Sequence, residues 1–380
     1  MPEYYIGLMS GTSLDGVDGV LADFSSSPQA ASGAARPMVL AAATRGFEAS
    51  FKQELLALNT PGHDELHRAA LAANQLVEIY AGVVEDLLAQ ARPLGIGRAD
   101  IVAIGAHGQT VRHRPQEFGT GYTLQINNPA LLVERVGIDV VADFRNADVA
   151  AGGQGAPLVP AFHAALWGQA HRARAVLNIG GISNITLLPP GGTVQGFDCG
   201  PGNALMDFWC QRHTGQAYDN AGAWAASGQV HPPLLEKLLA APYFARLPPK
   251  STGRDLFNPS WLSAQLEDFE SLAPQDVQAS LTALSALACA RDLRQHLPQA
   301  EELLVCGGGA LNTELMRQLA QALPGVQVSS TQSHGLPPLQ VEAAAFAWLA
   351  QAFMHKRPGN LVAVTGARGP RLLGALYRAH

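Results

Sequence analysis

Three short stretches of this chain present main-chain N–H groups without bulky side chains in the way, as a phosphate tail requires. They are Gly11-Thr12-Ser13, running on through Leu14-Asp15-Gly16-Val17-Asp18, then Gly180-Gly181, and Gly307-Gly308-Gly309. Each follows an apolar run of strand character: Tyr4 to Met9, Ala175 to Ile179, Leu303 to Val305. One such turn is ordinary. Three, two of them at matching places in the two halves of the chain, point to nucleotide phosphates. The sequence has no GxxxxGK[ST] and no GxGxxG opening a helix after the first strand, which excludes the P-loop and the dinucleotide-binding turn. The third loop continues into Ala310-Leu311-Asn312-Thr313-Glu314 and an apolar-periodic helix, which Asn312 or Thr313 can cap. Its glycines leave a flat surface suited to a purine ring.

Transfer to an alcohol or water also needs a base. Asp198 stands at a predicted strand end, just before Gly200-Pro201-Gly202, with a helix from Ala204 to Cys210 to follow. Such an aspartate serves either as a turn or cap residue or as a base at the mouth of a cleft, and its surroundings alone allow both. His107 and Gln109 flank Gly108 after the predicted strand Ile101–Ile104, and Arg145 lies in the mixed-charge run Asp143 to Asp148. Polar forks of this kind suit sugar hydroxyls, and Arg145 suits a carboxylate. The bland alternatives are a structural histidine and a salt-bridged loop. A GxSxG elbow does not occur, so serine-hydrolase chemistry has little support.

The elements that must hold these residues follow from the pattern. Strand, small-residue turn and strand open each half, a weak internal duplication that implies two related lobes. Apolar positions from Gly62 to Ala91 recur at helical spacing, as they do over Leu272–Leu297 and the alanine-rich Val341–Met354. Ser25 to Pro37 reads as a solvent loop at a hairpin tip. At 380 residues, 47% apolar and only 15% charged, the chain is long enough for two buried cores. A net charge of −6 gives no reason to expect nucleic acid or an anionic membrane as partner. The first residues lack a signal-like apolar stretch, and nothing approaches the roughly 20 apolar residues of a membrane helix. Cys199, Cys210, Cys289 and Cys306 show no metal-ligand spacing and read as buried thiols of a reducing, cytoplasmic compartment.

Together these motifs resemble the anhydro-N-acetylmuramic acid kinase family, in the same order along nearly the whole chain. The resemblance is carried by Leu8 to Asp18, His107 to His113, Ala142 to Arg145, Gly152 to Pro160 and Asn178 to Asn184. Gly196 to Asp198, Lys250 to Arg254, Cys306 to Ala310 and Gly359 to Ala367 add to it, although Val362 stands where the pattern has proline. The resemblance implies an α/β, two-lobed sugar kinase/actin/heat-shock ATPase fold, with duplicated ribonuclease H-like domains and a cleft between them. The lobes are expected at 1–172, joined by 355–380, and at 173–354.

It also implies an ATP-dependent reaction, with Mg²⁺, that turns 1,6-anhydro-N-acetylmuramic acid and water into N-acetylmuramic acid 6-phosphate during peptidoglycan recycling. Asp198 matches the family's base, and Glu342 is expected to help hold the water or sugar. The superfamily's aspartate before the first Gly-Thr is replaced here by Met9-Ser10, so the metal ligand is open between Asp15 and Asp18. The other readings are a related sugar kinase, a phosphohydrolase of the same fold, and a non-catalytic nucleotide-binding protein. The sequence leaves the oligomeric state open, a homodimer included.

Overall fold

The protein is described by a computed structural model covering residues 2–11, 13–25, 37–253 and 255–380. Thr12 of the first glycine loop, Arg254 and nearly all of the 25–37 loop lie outside the described residues. The chain divides into two compact units, one of residues 1–166 with 340–380, the other of residues 167–339.

In the first unit, β1 (Tyr4–Ser10), β2 (Gly16–Asp23) and β3 (Met38–Gly46) form an antiparallel meander. β4 (Ile101–Ala106) pairs parallel to β1, and β7 (Val140–Ala142) parallel to β4. β13 (Ala375–Tyr377) closes that edge antiparallel, giving the order β13-β7-β4-β1-β2-β3. β5 (Gln109–Arg114) and β6 (Tyr122–Ile126) form a separate two-stranded sheet.

Strand alternation assigns the two faces of the main sheet. Leu8 and Gly19 are register partners, and an added Cβ on Gly19 would press on Val83 of the helix Glu65–Ala91. Their neighbours Gly7 and Val20 face the opposite way. There the helix Val341–Met354 lies so close that a Cβ at Gly7 would run into the Ala343 carbonyl. At Gly105 it would run into that of Phe346.

In the second unit, β8 (Arg174–Ile179), β9 (Ile182–Leu188) and β10 (Gln195–Pro201) again form an antiparallel meander. β11 (Glu302–Cys306) runs parallel to β8, and β12 (Gln327–Ser330) parallel to β11. The order is β10-β9-β8-β11-β12. The helix Pro274–His296 covers β9 and β10 and buries residues from Val277 to Leu293 in the unit's core.

The two units therefore repeat one strand order: third, second, first, fourth, fifth. This is the duplicated ribonuclease H-like arrangement of the sugar kinase/actin/heat-shock ATPase fold. All four cysteines are buried, as their setting implied.

The division differs from the expected one. It falls after Leu166, before β8 begins, and the helix Val341–Met354, expected in the second lobe, belongs to the first unit. Its alanines allow the close approach to Gly7 and Gly105. Composition signals that this helix is buried, but not against which sheet.

Candidate active site

In the first unit the site is built around the ends of β1 and β4. Ser10, the last residue of β1, donates its hydroxyl to Gln109 Oε1, and both side chains are buried. His107 follows β4, and its Nδ1 lies 3.1 Å from the Ser10 carbonyl. Its Nε2 faces Arg145, with Nε at 3.1 Å and Nη2 at 2.9 Å. A guanidinium only donates, so Nε2 must accept, and the ring proton sits on Nδ1 and donates to Ser10. Burial and the adjacent Arg145 charge hold the His107 pKa well below its usual value, which keeps the ring neutral. Gly108 has φ of 79°, and its N–H donates to Tyr80 Oη at 3.0 Å. A buried helix residue thus fixes the turn that carries His107.

Arg145 also donates from Nη1 to the Gly155 carbonyl at 2.7 Å. Of its five N–H groups, these bonds leave two for a ligand. Burial lowers its pKa to about 10, against the favourable charge of Glu342, and it stays cationic at neutral pH. The Glu342 carboxyl is raised by burial first and by Asp18 second, with Arg145 opposing. Asp18 is raised by desolvation, although Thr44 Oγ1 donates to it at 2.7 Å. Asp148 lies beneath, fully buried, accepting from Gly155 N at 2.8 Å, Asn360 Nδ2 at 2.6 Å and Thr365 Oγ1 at 2.7 Å. It ties the glycine-rich segment after Arg145 to the returning end of the chain.

Among the remaining predicted residues of the first loop, Leu14 and Val17 have buried side chains and serve the core. Gly11 accepts from Leu14 N at 3.2 Å, and Ser13 is partly buried in the turn. A Cβ at Gly16 would strike the Arg45 carbonyl. Asp15 is exposed and paired with Lys52 at 3.3 Å.

In the second unit Asp198 sits on β10 where the register against β9 shifts between Asp198 and Gly200. Such a bulge re-aims a side chain. Asp198 Oδ2 accepts from Thr252 N at 3.0 Å, Asp198 N donates to the Lys250 carbonyl at 3.2 Å, and Tyr243 Oη donates to the Asp198 carbonyl at 2.8 Å. Oδ1 takes none of these bonds. Burial pushes the carboxyl up to about 6, with the Thr252 N–H and the Lys250 charge pulling the other way. That value suits a base working near neutral pH.

The other two glycine loops lie in this unit. The Gly180 carbonyl accepts from Asn203 N at 2.8 Å, and that of Gly181 from Gly202 N at 2.9 Å, so the β8–β9 turn is laced to the loop after Asp198. Gly307 has φ of 77°, and a Cβ there would meet the Asn178 side chain and Ile179 carbonyl; at Gly309 it would strike the Ile179 side chain. Gly308 is the least crowded of the three, a Cβ there meeting only Asn203 Nδ2, at 3.3 Å. Asn312 Oδ1 accepts from Leu315 N at 3.0 Å and caps the helix Thr313–Ala322.

The structure thus gathers His107, Gln109, Arg145, Asp18 and Glu342 in the first unit. Asp198, Gly180, Gly181, Gly307 to Gly309 and Asn312 lie in the second. The expectation that Glu342 shares a lobe with Asp198 is corrected by the placement of its helix.

The sequence pattern of the anhydro-N-acetylmuramic acid kinase family matches residues 3–379. The chain belongs to that family. An anhydro-N-acetylmuramic acid kinase of Variovorax paradoxus (strain S110) is 61% identical over 99% of both chains. One of Albidiferax ferrireducens (strain ATCC BAA-621 / DSM 15236 / T118) is 56% identical over 100% of both. A solved activator of the 2-hydroxyisocaproyl-CoA dehydratase from Clostridium difficile aligns at 12% identity and TM-score 0.47, covering 93% of this chain and 97% of its own.

In this member of the anhydro-N-acetylmuramic acid kinase family, several residues around Asp198 escape a chemical reading of the sequence: Tyr243, Lys250, Thr252 and Asp292. A signal existed for two of them: Lys250 and Thr252 fall in the stretch Lys250 to Arg254 that carries the family resemblance. Asp292 follows Arg291 in a helix that also holds Asp276 and Arg294, and does not stand out.

Proposed function

We propose that the protein is an ATP-dependent kinase that converts 1,6-anhydro-N-acetylmuramic acid and water to N-acetylmuramic acid 6-phosphate, with release of ADP. The observation that carries this reading is the family match across residues 3–379. Water gives its oxygen to C1 as the C1–O6 bond breaks, and one water proton passes to Asp198. O6 then takes the γ-phosphoryl group, and the bond to the β-phosphate oxygen breaks. Asp198, raised to about 6, is ionised at neutral pH and a stronger proton acceptor than an ordinary carboxylate. Arg145 binds the lactyl carboxylate with its two uncommitted N–H groups, and neutral His107 holds it in place. Glu342 helps hold the water or the sugar. The main chain from Gly11 to Asp18 binds phosphates, and the open face of Gly308 takes the adenine ring.

A magnesium ion bound mainly by substrate phosphates and water needs only one or two protein carboxylates. That agrees with the finding that, among the described residues, no group of three or more His, Cys, Asp or Glu side chains could hold a metal. Asp18 would be its carboxylate, since Asp15 is engaged with Lys52. When bound, the ion neutralises phosphate charge during transfer.

The reaction belongs to recycling of cell-wall fragments in the cytoplasm. Among the described residues no helix is long and apolar enough to cross a membrane. Turnover in ¹⁸O-labelled water tests the chemistry. Label should appear at C1 of the sugar product and be absent from phosphate. Label in inorganic phosphate would make the protein a phosphohydrolase, and no sugar-dependent ADP release at all would leave a nucleotide-binding protein.

A further inference from the structure

Behind Asp198 lies an ion pair that the proposed chemistry does not use. Lys250 Nζ and Asp292 Oδ1 are 2.9 Å apart, and their side chains are only 1% and 5% exposed. The ammonium also lies 5.6 Å from the Phe197 ring centroid and 5.3 Å from that of Tyr243. A buried pair of this kind contributes little net stability over well-packed apolar residues, because desolvation offsets most of the attraction. Its effect on geometry is direct. The side chain of Lys250 is held from below by the helix Pro274–His296 and on its flanks by two aromatic rings. The Lys250 carbonyl accepts from Asp198 N, and two residues on Thr252 N donates to Asp198 Oδ2. One short segment therefore grips Asp198 at its backbone and at its carboxylate, and the ion pair is what anchors the segment.

We infer that Lys250, held by Asp292, is a positioning residue that fixes the 250–252 segment and, through it, the direction of the Asp198 carboxylate. The inference rests on the reading of Asp198 as the base. The titratable and charged groups around this corner are Lys250, Tyr243, Cys199, Asp292, His296 and Arg246. Among them Lys250 supplies the charge that favours ionised Asp198.

The test is the double variant Lys250→Met/Asp292→Leu, which replaces the pair by apolar side chains and keeps the packing filled. It should unfold at a temperature near that of the wild type, while kcat falls about 10- to 100-fold through misdirection of the base. The acidic limb of kcat should move to higher pH, because the cation that favours the carboxylate is gone. KM for ATP should change little. Lys250→Gln, which keeps a donor for Asp292, should show the same shift with a smaller loss of kcat, and Lys250→Arg should restore the limb to its original place. Either folded neutral variant with wild-type kcat and an unmoved limb would overturn the inference. Asp198→Asn, assayed in parallel, separates the two levels. If it is inactive while the pair variants behave as wild type, only the positioning role falls. If it keeps wild-type kcat, the base reading falls and this inference with it.

Discussion

β3 and β10 hold the same place in the strand orders of the two units, yet they end differently. β3 keeps regular pairing with β2 from Leu21 back to Gly16, and its penultimate residue, Arg45, forms an exposed ion pair with Asp86 at 2.7 Å. β10 breaks register at Cys199, next to the partly buried Asp198 carboxylate, whose pKa is raised to about 6. The first turns differ as well. Five residues, Gly11 to Asp15, separate β1 from β2, while two, Gly180 and Gly181, separate β8 from β9. The duplicated framework accounts for where these loops stand. Local irregularity, a bulge beside Asp198 and a longer turn after β1, accounts for what each can do.

The largest test of this contrast is Asp198→Asn. A positioned base contributes on the order of 10²–10⁴-fold in rate, so turnover should fall by that much while ATP affinity holds. In the wild type, kcat should decline as pH falls through about 6, where Asp198 takes up its proton. Stability should run the other way. The folded pKa lies above the usual carboxylate value, so the stabilisation associated with protonated Asp198 is complete at acid pH and lost as pH rises through about 6. Asp198→Asn should therefore be more stable than the wild type at pH 7.5, by on the order of 1–3 kcal/mol. Calorimetry should find the gap closed near pH 4.

Next in size is Arg145→Met. Loss of a charge-assisted fork should raise KM for the anhydromuramic sugar about 10- to 100-fold. The wild type's preference over the analogue lacking the lactyl group should shrink in the variant. Equal handling of the two sugars by the wild type would remove the carboxylate-reading role.

The glycines of the third loop divide more finely. Gly309→Val drives a side chain into Ile179 and should cost about 1–3 kcal/mol in denaturant unfolding. Gly308→Val meets only the Asn203 amide, at 3.3 Å from its Cβ, and should cost less stability than Gly309→Val while weakening ATP in titration calorimetry. Unchanged ATP affinity would move the adenine elsewhere. The smallest effect is expected at the β3 counterpart. Arg45→Met removes one exposed ion pair and should change stability by less than about 1 kcal/mol, with kcat intact. A large loss of activity there would break the contrast between the two strands.

Much of this was legible in the sequence because it is local. The helix Val341–Met354 has the bounds its composition predicts, and the helices Glu65–Ala91 and Pro274–His296 lie within two or three residues of theirs. The three glycine loops follow strands, as their apolar approaches require. What escaped depends on separation along the chain. Lys250 meets Asp292 across 42 residues, and Asp148 meets Thr365 across 217. β13 is three residues long, too short for alternation to show. The bulge at Cys199 is marked in the sequence only by Gly200, whose φ of 146° it uses, and a glycine there reads equally well as a turn. Asp198 itself stood out by its glycine-proline neighbours, but the groups that tune it could be found only in three dimensions.

The return of residues 340–380 to the first unit has a consequence for synthesis on the ribosome. The second unit is one unbroken stretch, 167–339, and all of its sheet has emerged before the helix that packs on Gly7 and Gly105 exists. The first unit has its meander early but waits for that helix, for β13, and for the Asn360 and Thr365 partners of Asp148. Domains generally form in the order they emerge. Here the second unit has its whole sequence outside the ribosome while β1 and β4 still lack the helix Val341–Met354 that packs against Gly7 and Gly105.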